Sequence, residues 1–104
     1  MVYQLTALYH HPDDVAAFEK HYTETHVPLT LALPGIRSLD VQRLGPGLDG
    51  SEPAYHQVVT LTFDSAEAVA QALATPAGET VLADIPNAAP NGVEILAGEV
   101  RSHL

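Results

Sequence analysis

The sequence contains no cysteine, which rules out disulfides, thiolate nucleophiles and cysteine-held metals. Basic residues are nearly as scarce. Lys20, Arg37, Arg43 and Arg101 stand against thirteen acidic side chains, for a formal charge of -9. The four are spread along the chain and form no phosphate-binding patch, so the expected partners include neither nucleic acid nor an anionic membrane surface. No window approaches about 18 continuous apolar residues, and the opening MVYQLTALYHH has no basic segment followed by a long apolar one. The expectation is a cytoplasmic protein without a membrane span. A glycine-rich phosphate loop is missing too, because Gly45-Pro46-Gly47 falls between two strand patterns rather than at a helix start. The six histidines form no H-x-x-x-H or H-x-H pair with a nearby carboxylate, and no nucleophile-elbow signature occurs. No metal and no other cofactor is therefore expected.

What the chain does have is apolar residues, 46% against 16% charged over 104 residues. That is enough for one globular domain spanning 1-104. A domain of this length buries only about two thirds of its unfolded surface, so association with a partner would help it. Val2 to Tyr9 alternates, with Tyr3, Leu5, Ala7 and Tyr9 on one face, which is the period of a strand. His10, His11 and Pro12 break the pattern, and Asp13 or Asp14 can cap a following helix. Val15, Phe18, Tyr22, His26 and Leu29 then recur at three- and four-residue steps, one stripe of a helix. Pro28 predicts an end or bend at Val27, with a short second turn over Leu29 to Leu33 before Pro34-Gly35.

Ile36 to Leu44 reads as a second strand and Ala54 to Phe63 as a third, joined by a turn-rich stretch. Asp64-Ser65 with Glu67 marks a helix start leading into Ala66 to Ala74. Pro76 and Gly78 predict a break before a shorter helix, roughly Glu79 to Asp84; Pro86-Asn87 and Pro90-Asn91-Gly92 mark the turn that follows, and Val93 to Val100 reads as the last strand. The order βαββαβ predicts an α+β, ferredoxin-like fold: a four-stranded antiparallel sheet with helices on one face. The strands carry apolar side chains on both faces, so a second copy of the chain is expected to cover the open one, giving a homodimer.

His26 is the first candidate for chemistry, since an imidazole exchanges a proton near neutral pH and this one shares the stripe of Val15, Phe18 and Tyr22. A histidine there either bonds within the core or faces a cavity. Tyr22, four residues earlier, can reach the same site. Tyr9 and His10, with His11, end the first strand where side chains line a cleft mouth. His56, on the third strand with Val58, Thr60 and Thr62 on its face, can enter a pocket or an interface.

The stretches LYHHPDDVAAFEKHYTETHVPLTLALPGIR, EPAYHQVVTLTFDSAEAVAQALATPAGETVLADIPN and GVEILAGEV together resemble the EthD family, named for a protein of ethyl tert-butyl ether degradation. The most specific parts are F-x-x-H/Y-Y-x-x-x-H-x-P-L, met by Phe18, His21, Tyr22, His26, Pro28 and Leu29, and the closing Gly98 to Val100. The resemblance implies a dimeric α+β barrel with a pocket between sheet and helices in each subunit. It also implies a small hydrophobic metabolite as partner. Catalysis would fall to His26 and Tyr22, and ligand contact to Tyr9, His10, Phe18 and His56. The wider superfamily includes cofactor-free monooxygenases, isomerases, cyclases, dehydratases and decarboxylases, so the reaction stays open, as does a non-catalytic carrier for a partner oxygenase.

Overall fold

A computed structural model describes all 104 residues. The strands are β1 (Val2–Tyr9), β2 (Ser38–Arg43), β3 (Gln57–Phe63) and β4 (Val93–Val100). They form one antiparallel sheet in the order β2-β3-β1-β4. This is the ferredoxin-like arrangement: each of two strand-helix-strand passages returns its second strand next to a central one. Tyr9 stands opposite Gln57 on one side and Val93 on the other, and Ala7 opposite Val59 and Ile95. The odd-numbered residues of all four strands therefore share the face that the helices cover. Leu8, Val58 and Leu96 share the other face with Gln4, Thr6, Thr60 and Thr62. That open face is mixed rather than apolar throughout.

Between β1 and β2 the chain forms α1 (Val15–His21), a π-helical segment (Tyr22–His26) and α2 (Val27–Leu31) without interruption. Asp14 caps α1, its side chain accepting the Ala17 N–H. The helix passes through Pro28 instead of ending before it. In the wide turn the Val27 N–H bonds the Tyr22 carbonyl, five residues back. The proline has no N–H to lose, and a widened turn relieves its clash with the carbonyl four residues earlier. The π segment also changes which residues face inward. In a regular α-helix each four-residue step overshoots the previous position by roughly 40°, and the wider turn takes that drift back. Phe18, Tyr22, His26 and Thr30 are all buried, whereas the expected Leu29 is half-buried and Val15 is exposed.

The second helical layer is α3 (Ala66–Leu73), capped by Ser65, and α4 (Pro76–Ala88), capped by Thr75. The expected short helix at Glu79 to Asp84 is thus thirteen residues long. Pro76 sits in its first turn, where a missing N–H costs nothing. Pro86 lies on the exposed side, where the carbonyl of exposed Leu82 can turn to water. Gly78 is not a break but a contact. A Cβ there would sit 2.4 Å from the Leu73 carbonyl oxygen and 2.5 Å from that of Ala72, so only glycine lets α4 start against the end of α3. The third strand is shorter than expected, beginning at Gln57, so His56 precedes it at a bend. No helix is long and apolar enough to cross a membrane.

Two groups of buried side chains fill the space between the layers. Ala7, Tyr9, Phe18, Tyr22, Val59 and Ala89 form one. Leu33, Phe63, Val69, Ala72 and Val81 form the other.

Candidate functional site

The two core groups do not meet completely. Between them lies a cavity of about 150 Å³, lined by fourteen residues of which thirteen are hydrophobic. Ala7, Tyr9, Tyr22 and Val59 reach it from one core group, and Leu33 and Val81 from the other. Leu82 of α4 and Ile95 of β4 also line it, and both are about half exposed, so they mark its mouth. Thr30 joins the wall with its hydroxyl already committed to the His26 carbonyl at 2.9 Å. The polar atoms that a bound molecule could use are consequently the hydroxyls of Tyr9 and Tyr22. Their rings meet edge to face at 5.5 Å. Burial pushes the Tyr9 phenol up to about 12, while an interaction with Tyr22 partly offsets the rise. Burial, reinforced by Tyr9, also pushes the Tyr22 phenol upward. Both are therefore neutral hydroxyls near pH 7, able to donate or accept a hydrogen bond.

Behind Tyr22 is a polar cluster. The His26 ring packs against the Tyr22 ring at 5.6 Å, and its Nδ1 lies 2.9 Å from Oδ2 of Asp84 on α4. Asp84 also receives His21 Nε2, 3.0 Å from each carboxylate oxygen, and the Asn87 side-chain amide at 3.3 Å. Burial opposes ionisation of Asp84, but the hydrogen bonds from His26, His21 and Asn87 outweigh it and hold the carboxyl below its ordinary range. His26 and Asp84 are nearly sealed, with side chains 7% and 10% exposed, whereas the His21 side chain is 33% exposed. The outer side of the cluster opens on a separate polar cleft walled by His21, Asn87, Asp13 and Asp14.

The six residues singled out from the sequence are thus not gathered in one place. Tyr9 and Tyr22 line the cavity. His26 is buried on the expected helix face but bonds Asp84 and does not line the cavity. Phe18 is a core side chain, stacked on Tyr22 at 5.9 Å and packed on Tyr9 at 5.8 Å. His56 does not share the face of Val58, Thr60 and Thr62, because the bend before β3 turns its ring onto Phe18 and its Nε2 to Glu19 at 3.0 Å. His10 lies at the end of β1 beside Tyr55 and Glu94, half exposed. Asp84 and Asn87 are not among the six, and His21 enters the sequence reading only as a position of the EthD-like pattern, with no role given to it. A signal for Asp84 exists in the spacing Val81, Asp84, Ala88, which puts a carboxylate on an otherwise apolar helix stripe.

Because the ionisation of Asp84 is favoured by the fold, its stabilising effect is present above roughly pH 4 and is lost as the pH falls through the lower folded-state value. Asp84→Asn is expected to cost about 1–3 kcal/mol at pH 7. Urea unfolding at pH 7 and pH 3 checks this, since the gap between the two proteins should narrow at the lower pH.

Comparison with known proteins places these features in a group. The model of the EthD domain matches residues 10–89. An uncharacterised 11.0 kDa protein of the thcB-thcC intergenic region of Rhodococcus erythropolis is 37% identical over 95 residues, covering 91% of each chain. The crystal structure of an EthD family protein from Bacillus halodurans superimposes with a TM-score of 0.89 at 32% identity, covering 97% of this chain and all of that one. SnoaB, a cofactor-independent oxygenase from Streptomyces nogalater, has a TM-score of 0.67 at 18% identity over 99% of this chain and 95% of that one, a likeness of fold.

Proposed function

The chain belongs to the EthD domain family, and on that premise we propose that it binds a small, mostly apolar molecule in the cavity between sheet and helices. A single oxygen function of that molecule is held by Tyr9 and Tyr22. The observation that carries this reading is the pairing of an almost wholly hydrophobic wall with two neutral phenols. A cavity of about 150 Å³ takes a molecule on the order of one benzene ring, and the half-exposed Leu82 and Ile95 leave room for a longer one to extend outward. His26 is the proton-exchanging group of the site, one ring behind Tyr22, so the proposed activity is cofactor-free proton transfer of isomerase, cyclase, dehydratase or decarboxylase type. The working form is a homodimer joined through the open sheet face.

A second reading has its own support. His26 does not line the cavity, which favours a carrier that holds its metabolite for a partner oxygenase and returns it unchanged. A cofactor-free oxygenase is the third, favoured by the fold shared with SnoaB. Turnover of a bound molecule separates enzyme from carrier.

Phenol and toluene test the binding claim, since they differ by the oxygen that the tyrosines would hold. Titration followed by amide NMR is expected to move Leu33, Val81, Leu82 and Ile85 saturably with both. Tyr22→Phe should weaken phenol by about threefold to tenfold, the worth of one hydrogen bond, and leave toluene unchanged. Shifts confined to the outer cleft, or a Tyr22→Phe protein that binds phenol as well as the wild type does, would count against the site.

A further inference from the structure

We propose that Asp84 is the positioning residue of this site: it fixes His26 with its proton on Nδ1, and so presents Nε2 as a proton acceptor. The inference deepens the reading of the cavity as a binding site by giving His26 the role of base rather than acid.

An ionised carboxylate can only accept hydrogen bonds, so each imidazole nitrogen facing Asp84 must carry a proton. For His26 that nitrogen is Nδ1, 2.9 Å from Oδ2. For His21 it is Nε2. The two rings are therefore held as opposite tautomers by one carboxylate. Neutral His26 then has its lone pair on Nε2, which makes no hydrogen bond to any other group of the chain, although the residue is only 6% exposed. The Asn87 amide adds a third donor to the carboxylate, so Asp84 has little freedom to turn away from either ring. The logic is that of an orienting carboxylate behind a histidine base, which fixes tautomer and ring direction without itself taking the proton.

The step this permits can be written in full. His26 does not line the cavity, so the step takes a molecule whose X–H group reaches beyond Tyr22 to the His26 ring; there the X–H bond breaks and leaves its electron pair on X. The proton bonds to His26 Nε2, giving an imidazolium that still donates from Nδ1 to an ionised Asp84. The substrate class is accordingly a weak acid: a phenol or enol hydroxyl, or a C–H next to a carbonyl whose oxygen the Tyr9 and Tyr22 hydroxyls can hold. The carboxylate stays close to the charge it balances throughout, and no co-reactant is needed for the transfer.

The tautomer can be read in the empty protein, so the outcome does not depend on whether phenol binds. Long-range ¹⁵N–¹H spectra at pH 8, above the ordinary imidazole range, are expected to show His26 with a protonated, pyrrole-type Nδ1 and an unprotonated, pyridine-type Nε2. Asp84→Leu, which leaves no acceptor for Nδ1–H, should move His26 toward the opposite tautomer, a change that a merely structural loss would not produce. A pyridine-type Nδ1 in the wild type overturns the proposal, and so does a folded Asp84→Leu protein with an unaltered His26 pattern. The role as base is read with 4-nitrophenol at a pH below its own ionisation. The wild type is expected to raise the yellow phenolate band on mixing, and His26→Gln is expected to leave it flat. No band in the wild type overturns the assignment as base, and the phenol titration then shows whether binding itself has failed.

Discussion

Val58→Asp is expected to turn a two-chain particle into a single chain. Val58 lies on the sheet face that no helix covers, beside Leu8, and the neighbouring row brings Leu96 to the same face. The surrounding Gln4, Thr6, Thr60 and Thr62 can exchange hydrogen bonds with water when the chain is alone, and Gln4 already bonds Thr62. The apolar three cannot, and their burial supplies the drive to pair. A two-fold interface repeats every substitution, so one aspartate per chain puts two carboxylates into one desolvated patch. The cost is several kcal/mol, enough to dissociate a dimer at micromolar concentration. Light scattering should read about twice the 11.1 kDa chain mass for the wild type and about one chain mass for the variant. Val15→Asp, an equally apolar position on the exposed side of α1, should leave the mass unchanged.

The second large effect concerns the cavity. Ile85→Trp replaces a half-buried lining residue of α4 with an indole that occupies most of a 150 Å³ space. Overpacking normally costs about 1–3 kcal/mol because neighbours must move, but here the added atoms enter a hollow. Stability is therefore expected to hold, while phenol and toluene both lose at least about a hundredfold in affinity, which corresponds to roughly 2.7 kcal/mol. Tyr22→Phe and Ile85→Trp thus separate two contributions. The first removes a polar partner and acts on phenol alone; the second removes the space and acts on both.

Much of the scaffold was legible because it depends on local pattern. The alternation from Val2 to Tyr9, the helix starts at Asp13 or Asp14 and at Asp64-Ser65, and the run of β-branched residues in Gln57–Phe63 each need no distant contact to be recognised. The prolines misled for a physical reason. Pro28 predicts an end or a bend at Val27 and Pro86 a turn after the helix, yet one falls just beyond a π turn and the other on a solvent-facing side, and in both cases the helix continues. The first continuation decides the register that buries Thr30 rather than Leu29. The second extends α4 through Asn87, which adds a donor to Asp84.

The site was legible only from one side. Phe18, Tyr22 and His26 follow a four-residue step that any helical reading finds. The partner of His26 lies 58 residues away, on a helix that the sequence pattern cuts short at that residue. Which group a buried histidine bonds depends on how two helices cross, and residue spacing along one of them carries no trace of that. His56 shows the same limit on the sheet, where a bend before β3 overrides the alternation that would have set its face.

The central claim is that the space between the sheet and α4 holds a small molecule by an apolar body and one oxygen. A crystal soaked in 4-bromophenol tests it most directly, because bromine scatters anomalously and marks the ring's far end. One strong bromine peak is expected within the cavity, between Leu33 and the Leu82 and Ile95 mouth, with the phenol oxygen within hydrogen-bond distance of the Tyr9 or Tyr22 hydroxyl. A crystal whose bromine peaks all lie in the outer cleft beside Asn87 or on the surface, with the cavity unaltered, would contradict it.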